Sequence, residues 1–168
     1  MNKNNIILIG MPGAGKSTVG VILAKRLGYG FVDTDLLIQT SVGKSLQAII
    51  NEDGLDAFRR IEEKVLLALD EKRTVIATGG SAVYSPAAMR SLKQSGTTVF
   101  INSSLQTLQA RIADMSTRGM VITPGESFAS LFIERNPLYR KYADMIIEEQ
   151  DKTVELVADE IAKNYSQG

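Results

Sequence analysis

The chain contains no cysteine and no histidine, and each absence removes a branch of chemistry. Without cysteine there are no disulfides and no thiol nucleophile. Without histidine the commonest general base and metal ligand is gone. Catalysis must therefore draw on carboxylates, lysine, arginine, hydroxyls, backbone amides or a bound metal. Net charge is lacking too: 19 basic side chains balance 19 acidic ones, which argues against broad attraction to nucleic acid or an anionic membrane. Any anion must be bound locally. No stretch approaches the roughly 20 apolar residues that cross a bilayer, and the polar start Met1-Asn2-Lys3-Asn4-Asn5 has no signal-peptide pattern. The expectation is a cytoplasmic protein with neither a membrane nor a nucleic acid as partner.

What is present suffices for one domain spanning 1–168, since 44% of the 168 residues are hydrophobic. The run Ile6-Ile7-Leu8-Ile9 is short, wholly apolar and bounded by Gly10, as a strand buried on both faces should be. Apolar positions Val19, Val21, Ile22, Leu23 and Leu27 then suit a helix from Lys16, with Gly28 as its stop. Further strands are expected at Phe31-Val32, Val75-Ile76-Ala77, Thr97 to Ile101 and Met145-Ile146-Ile147. Helical segments separate them, which predicts an α/β fold with five largely parallel strands. The longest helix is expected at about residues 55–71, with Phe58, Ile61, Val65, Leu66 and Leu69 in one stripe, and a last helix near residues 153–164. Between about 113 and 126 the periodicity fades among Asp, Ser, Thr, Gly and Pro, and we read an exposed, mobile loop, a candidate lid.

The most specific signal is Gly10-Met11-Pro12-Gly13-Ala14-Gly15-Lys16-Ser17, which matches G-x-x-x-x-G-K-[ST] between a buried strand and a helix. In such a loop the glycines let backbone N–H groups turn inward around phosphate, helped by the helix N-terminus. Lys16 is then placed to reach the β- and γ-phosphates and Ser17 to ligate Mg²⁺, with Gly13, Ala14, Gly15 and Thr18 completing the nucleotide cradle. A plain glycine-rich turn with a solvated Lys16 is the alternative, and the strand and helix around it argue against that.

Downstream come Phe31-Val32-Asp33-Thr34-Asp35, then Gly54, Phe58-Arg59-Arg60-Ile61-Glu62-Glu63, Ala77-Thr78-Gly79-Gly80 and Arg135-Asn136-Pro137-Leu138-Tyr139. In order and spacing, these segments together with the phosphate loop resemble the shikimate kinase family over nearly the whole chain. The resemblance implies a three-layer α/β/α P-loop kinase with a substrate-binding helical segment at about 34–62 and a lid. It implies that Asp33 lies beside Mg²⁺ and that Asp35 contacts the acceptor's hydroxyls, although a helix cap is an alternative for either residue. Asp35 could accept a hydrogen bond from the attacking hydroxyl and orient it.

Arg59 and Arg135 resemble the pair that clamps the substrate carboxylate, a task suited to the planar guanidinium fork. Glu62 and Glu63 lie three and four residues after Arg59, close enough on a helix to hold it, and a surface ion pair is the other reading of that arginine. Gly79 and Gly80 would let backbone amides meet substrate oxygens. Arg118 falls where the family has its lid arginine over the phosphates, and Arg111 resembles one that stacks on adenine, with a solvated helix arginine as the alternative. The chain departs from the family at Ser81, in place of a third glycine, at Gly119-Met120-Val121, in place of Pro-Leu-Leu, and at Leu55, where relatives often carry Glu.

The expected activity is transfer of the γ-phosphate of ATP to a hydroxyl of a small carboxylated metabolite, with Mg²⁺ as cofactor. Shikimate is the acceptor that the resemblance implies, in aromatic amino acid biosynthesis. Lys16, Asp35 and Arg118 are the expected catalytic groups. A kinase for another small hydroxy acid or polyol such as gluconate is one alternative, and a non-catalytic ATP-binding protein another. No coiled-coil or repeat pattern points to an assembly, so a monomer is expected.

Overall fold

The computed structural model describes residues 4–113 and 125–166. Its centre is β1 (Asn5–Ile9), five residues that are all buried. Parallel neighbours flank it on both edges: β3 (Thr74–Ala77) on one and β4 (Gly96–Asn102) on the other. With β2 (Gly30–Asp33) outside β3 and β5 (Met145–Glu148) outside β4, the sheet has five parallel strands in the order β2-β3-β1-β4-β5. The order reverses across β1, and in open α/β sheets ligands bind in the crevice beyond the strand ends at such a switch point. Gly10 occupies that crevice with φ 150°, and a Cβ there would lie 2.8 Å from the Ile101 carbonyl oxygen.

Helices flank the sheet in the expected α/β manner. α1 (Lys16–Leu27) begins after Gly15 at φ 86° and ends at Gly28, φ 64°, whose N–H donates to the Ala24 carbonyl. Then come α2 (Thr34–Val42), α3 (Leu46–Asp53) and α4 (Leu55–Leu67). α5 (Pro86–Ser95), α6 (Leu105–Ala113), α7 (Phe128–Tyr142) and α8 (Val154–Ser166) complete the helices, and a short 3-10 turn covers Ala82–Tyr84. Among the described residues no helix is long and apolar enough to cross a membrane.

The apolar stripe of α4 serves two cores. Leu66 packs into the main core against the sheet, while Phe58 joins Ile38 and Ile49 in a smaller cluster within α2, α3 and α4. The helical segment between β2 and β3 therefore has apolar packing of its own. α4 corrects the sequence expectation in two ways. It stops at Leu67 rather than near residue 71, and α7, at 15 residues, is longer than its 13. The early stop has a cause outside the helix. The Asn5 side chain donates to the Glu71 carbonyl at 2.6 Å and accepts from the Thr74 N–H at 3.0 Å, drawing residues 71–74 onto β1. Arg73 turns the chain there at φ 51°. α7 continues through Pro137, a residue that removes a backbone donor from a helix and usually argues against one.

Candidate active site

The phosphate loop leaves β1 and closes on itself. Gly13 and Gly15 have φ of 84° and 86°, a region that side-chain-bearing residues rarely adopt. Lys16 is only 8% exposed, and its Nζ donates to the carbonyls of Gly10 and Met11, each at 2.8 Å. Burial lowers its pKa to about 8; Asp35 and Asp33 raise it, while Arg135 adds to the lowering. The ammonium thus already sits in the field of the carboxylates on β2 and α2. Ser17 and Thr18 follow on the exposed first turn of α1.

Asp33 ends β2 and uses both oxygens. Oδ1 accepts from the N–H groups of Asp35 (3.0 Å) and Leu36 (3.2 Å), capping α2, and Oδ2 accepts from Ser17 Oγ at 2.7 Å. The cap is therefore Asp33 and not Asp35, whose carboxylate turns into the crevice. Asp35 is raised to about 6 by desolvation and by the neighbouring Asp33, against an opposing pull from Lys16.

The end of β3 builds the other wall. Gly79 donates its N–H to Thr34 Oγ1 at 3.2 Å, and the buried Thr34 thereby ties α2 to the strand end. A Cβ on Gly79 would lie 2.5 Å from Asp35 Oδ1 and 3.1 Å from Glu62 Oε1. One on Gly80 would lie 2.9 Å from Arg135 Nη1. These two glycines let Asp35, Glu62 and Arg135 converge on the strand end. Arg135, on α7, is 2% exposed. Beside it, Tyr139 donates its hydroxyl proton to the Gly80 carbonyl at 2.6 Å.

Ser81, the departure from the third glycine, needs no unusual backbone: its φ is −89° and ψ −4°. Its hydroxyl lies 2.7 and 2.9 Å from the two oxygens of Glu62. Glu62 is 3% exposed. Burial lifts its pKa to about 7; Asp35 adds to the rise, while Ser81, Arg135 and Arg59 oppose it. Glu63 likewise meets a serine, accepting from Ser85 Oγ. The two glutamates expected to hold Arg59 thus accept from serine hydroxyls. Arg59 lies with its Cζ 4.8 Å from the centre of the Tyr84 ring. Sequence reasoning missed Thr34, Tyr84 and Tyr139, and considered Glu62 only as a helix neighbour of Arg59.

Arg111, half-exposed on α6, reaches back to the phosphate loop. It donates to the Gly13 carbonyl at 3.0 Å and forms an ion pair with the buried Glu149. The site therefore brings together Lys16, Ser17, Asp33, Asp35, Gly79, Gly80 and Arg135, with Arg59 over Tyr84 and Arg111 behind the loop. Arg118, Gly119, Met120, Val121 and most of the expected lid lie outside the described residues.

A parallel sheet whose central strand runs through a glycine loop into a helix, with lysine and serine at its start, defines the P-loop class of nucleotide-binding proteins. Within that class the shikimate kinase family profile matches residues 12–166. The shikimate kinase of Paracidovorax citrulli is 40% identical over 164 residues, spanning 94% of this chain and 90% of that one. That of Thermodesulfovibrio yellowstonii is 38% identical, covering 96% and 94%. Among solved structures, shikimate kinase from Acinetobacter baumannii in complex with shikimate has a TM-score of 0.91 at 32% identity, covering 99% of this chain and 94% of that one. The chain belongs to the shikimate kinase family, which makes it an ATP-using phosphotransferase acting on a hydroxyl.

Proposed function

We propose that this chain transfers the γ-phosphate of ATP to a hydroxyl of shikimate, giving shikimate 3-phosphate. The observation that carries the reading is the convergence of Asp35 and Arg135 on Gly79 and Gly80, beside the phosphate loop. A carboxylate there can accept a hydrogen bond from the acceptor hydroxyl, and a guanidinium can take the acceptor's carboxylate. Arg59, at the same wall, would supply the second guanidinium.

In this reading Lys16 exchanges its two loop carbonyls for phosphate oxygens, which would restore the full charge that burial weakens. Asp35 holds the attacking hydroxyl in line, and as an aspartate raised to about 6 it is ionised at neutral pH and able to accept that proton. The backbone N–H groups of residues 13–18 would face the phosphates, with Arg111 holding the loop from behind. Arg118 is assigned to the phosphates from the sequence. Little covalent chemistry is asked of the side chains, since phosphoryl transfer depends chiefly on positioning and charge stabilisation. That suits a chain without histidine or cysteine.

Ser17 Oγ and Asp33 Oδ2, 2.7 Å apart, are a pair of hard oxygen donors of the kind Mg²⁺ takes. Among the described residues no cluster of three or more acidic, histidine or cysteine side chains forms a protein cage. The pair fits an ion that draws its remaining ligands from phosphate and water. Bound there, Mg²⁺ would neutralise charge on the transferring phosphates.

ADP release with Mg-ATP alone, with shikimate and with gluconate tests the proposal, with Asp35→Asn alongside. Shikimate should stimulate release, and the variant should lose that stimulation by about 10²-fold or more. Stimulation by gluconate but not shikimate would overturn the named acceptor. Equal stimulation in the variant would remove Asp35 from its role.

A further inference from the structure

The ring of Tyr84 is shared by both arginines assigned to the acceptor's carboxylate. Arg59 Cζ lies 4.8 Å and Arg135 Cζ 5.2 Å from its centre. The hydroxyl is also engaged, accepting from Arg135 Nε at 3.2 Å and donating to Glu134 Oε1 at 2.8 Å. The two guanidiniums come from different elements, α4 and α7, and a third element, the turn after β3, carries the residue that touches both. The ring is half-buried, with the buried Arg135 and the exposed Arg59 both against it, and a cation over an aromatic face gains more where it is desolvated, as at Arg135.

The same turn deals with the glutamates of α4. Ser81 meets Glu62 and Ser85 meets Glu63, so carboxylates that could have paired with Arg59 within its helix accept instead from hydroxyls four residues apart. Residues 81–85 thus separate three neighbouring charged side chains of α4: the serines take Glu62 and Glu63, and the tyrosine takes Arg59. An aromatic face holds a guanidinium while leaving its N–H edge open to a ligand, whereas a carboxylate partner would compete for that edge.

We infer that Tyr84 is a positioning residue that sets the spacing and tilt of the Arg59 and Arg135 guanidiniums for a carboxylate on the acceptor. It acts through the arginines and touches neither phosphate nor the reacting hydroxyl. The inference rests on the functional reading above. Loss of the ring should release two cation contacts at once, weakening the carboxylate end of the site and leaving the nucleotide end untouched.

The test compares KM for shikimate and for Mg-ATP in wild type, Tyr84→Leu, Tyr84→Met and Tyr84→Phe, with Arg59→Ala alone and combined with Tyr84→Leu. Loss of the ring contacts to both arginines, together with the hydrogen bond from Arg135 Nε to the hydroxyl, predicts a rise of about tenfold or more in the shikimate KM of the Leu variant, with the Mg-ATP KM within about twofold of wild type. The unbranched Met variant should behave likewise and serves if the Leu variant does not fold. The Phe variant keeps the ring and should recover most of the loss. In the Arg59→Ala background, Tyr84→Leu should raise the shikimate KM clearly less than in wild type, which a purely structural role would not produce. An unchanged shikimate KM without the ring, an equal rise for both substrates, a Phe variant as impaired as the Leu variant, or full additivity with Arg59→Ala would overturn the inference. Wild type without any shikimate-dependent turnover would overturn the functional reading, and this inference with it; normal wild-type turnover with any of the former results overturns the inference alone.

Discussion

Replacing Glu62 with glutamine should change how stability depends on pH. The Glu62 carboxyl is 3% exposed and is lifted from 4.5 to about 7, chiefly by burial. A carboxyl raised in this way is protonated in both folded and unfolded chains well below pH 4.5. As the pH climbs, the unfolded chain releases its proton first while the folded chain keeps it. Stability therefore falls as the pH rises from about 4.5 through about 7, and is flat above. Each unit of difference is worth about 1.36 kcal/mol, so this one residue takes about 3 kcal/mol from the folded state between those limits.

Asp35, raised to about 6 from 3.8, adds a loss of the same sign at lower pH. Most of that loss has occurred by about pH 6, and the remainder is common to wild type and Glu62→Gln, so the difference between the two proteins from about pH 6 to 7 isolates Glu62. Glutamine is close in size and can keep a hydrogen bond to Ser81, so the substitution removes the titration with little change of shape. Urea unfolding at about pH 5, 6, 7 and 8, extrapolated to water, measures the effect. Wild type should lose about 1 kcal/mol more than Glu62→Gln between pH 6 and 7. Parallel curves for the two proteins across that interval would refute the reasoning, because they would mean that the folded chain leaves Glu62 with an ordinary acidity.

Lys16→Met should lower kcat by about 10²-fold or more, as expected for loss of a charge aimed at the transferring group. Its melting temperature should not fall, because the substitution takes a partly desolvated cation out of the fold; a steady-state assay beside a thermal melt separates the two effects. Gly96→Ala should destabilise the chain by about 1–3 kcal/mol, read from the urea midpoint. The new Cβ would lie 2.4 Å from the Asn5 carbonyl oxygen and 2.6 Å from Ile7 Cδ1, although a φ of −168° suits any residue. Arg111→Ala should raise the KM for Mg-ATP more than that for shikimate, since the lost contacts anchor Gly13 and Glu149 behind the phosphate loop.

The sheet was legible because its signals are local. Ile6 to Ile9 is apolar on both faces, Gly10 follows, and the phosphate-loop pattern must stand between a strand and a helix. The stop of α4 was not legible, because it depends on the Asn5 side chain, 66 residues from the carbonyl it holds. Nor was α7 through Pro137, where the local rule points the other way and packing of Leu131, Arg135 and Tyr139 prevails.

At the site, residue types and order pointed to Lys16, Asp35, Gly79, Gly80 and Arg135, and the fold gathers them. What sequence spacing misassigned was the pairing. Positions three and four apart made Glu62 and Glu63 natural partners for Arg59, yet the turn after β3 supplies two serines and a tyrosine that divide those charges differently. Such choices depend on which side chains a loop brings into contact, and no periodicity encodes that.

A phosphorus NMR spectrum of the chain with Mg-ATP and shikimate would show the phosphoryl transfer itself. A phosphate monoester signal should grow with ADP only when shikimate is present and should fail to grow in the Asp35→Asn variant. ATP that stays intact, or that yields ADP with free phosphate and no monoester, would contradict that transfer.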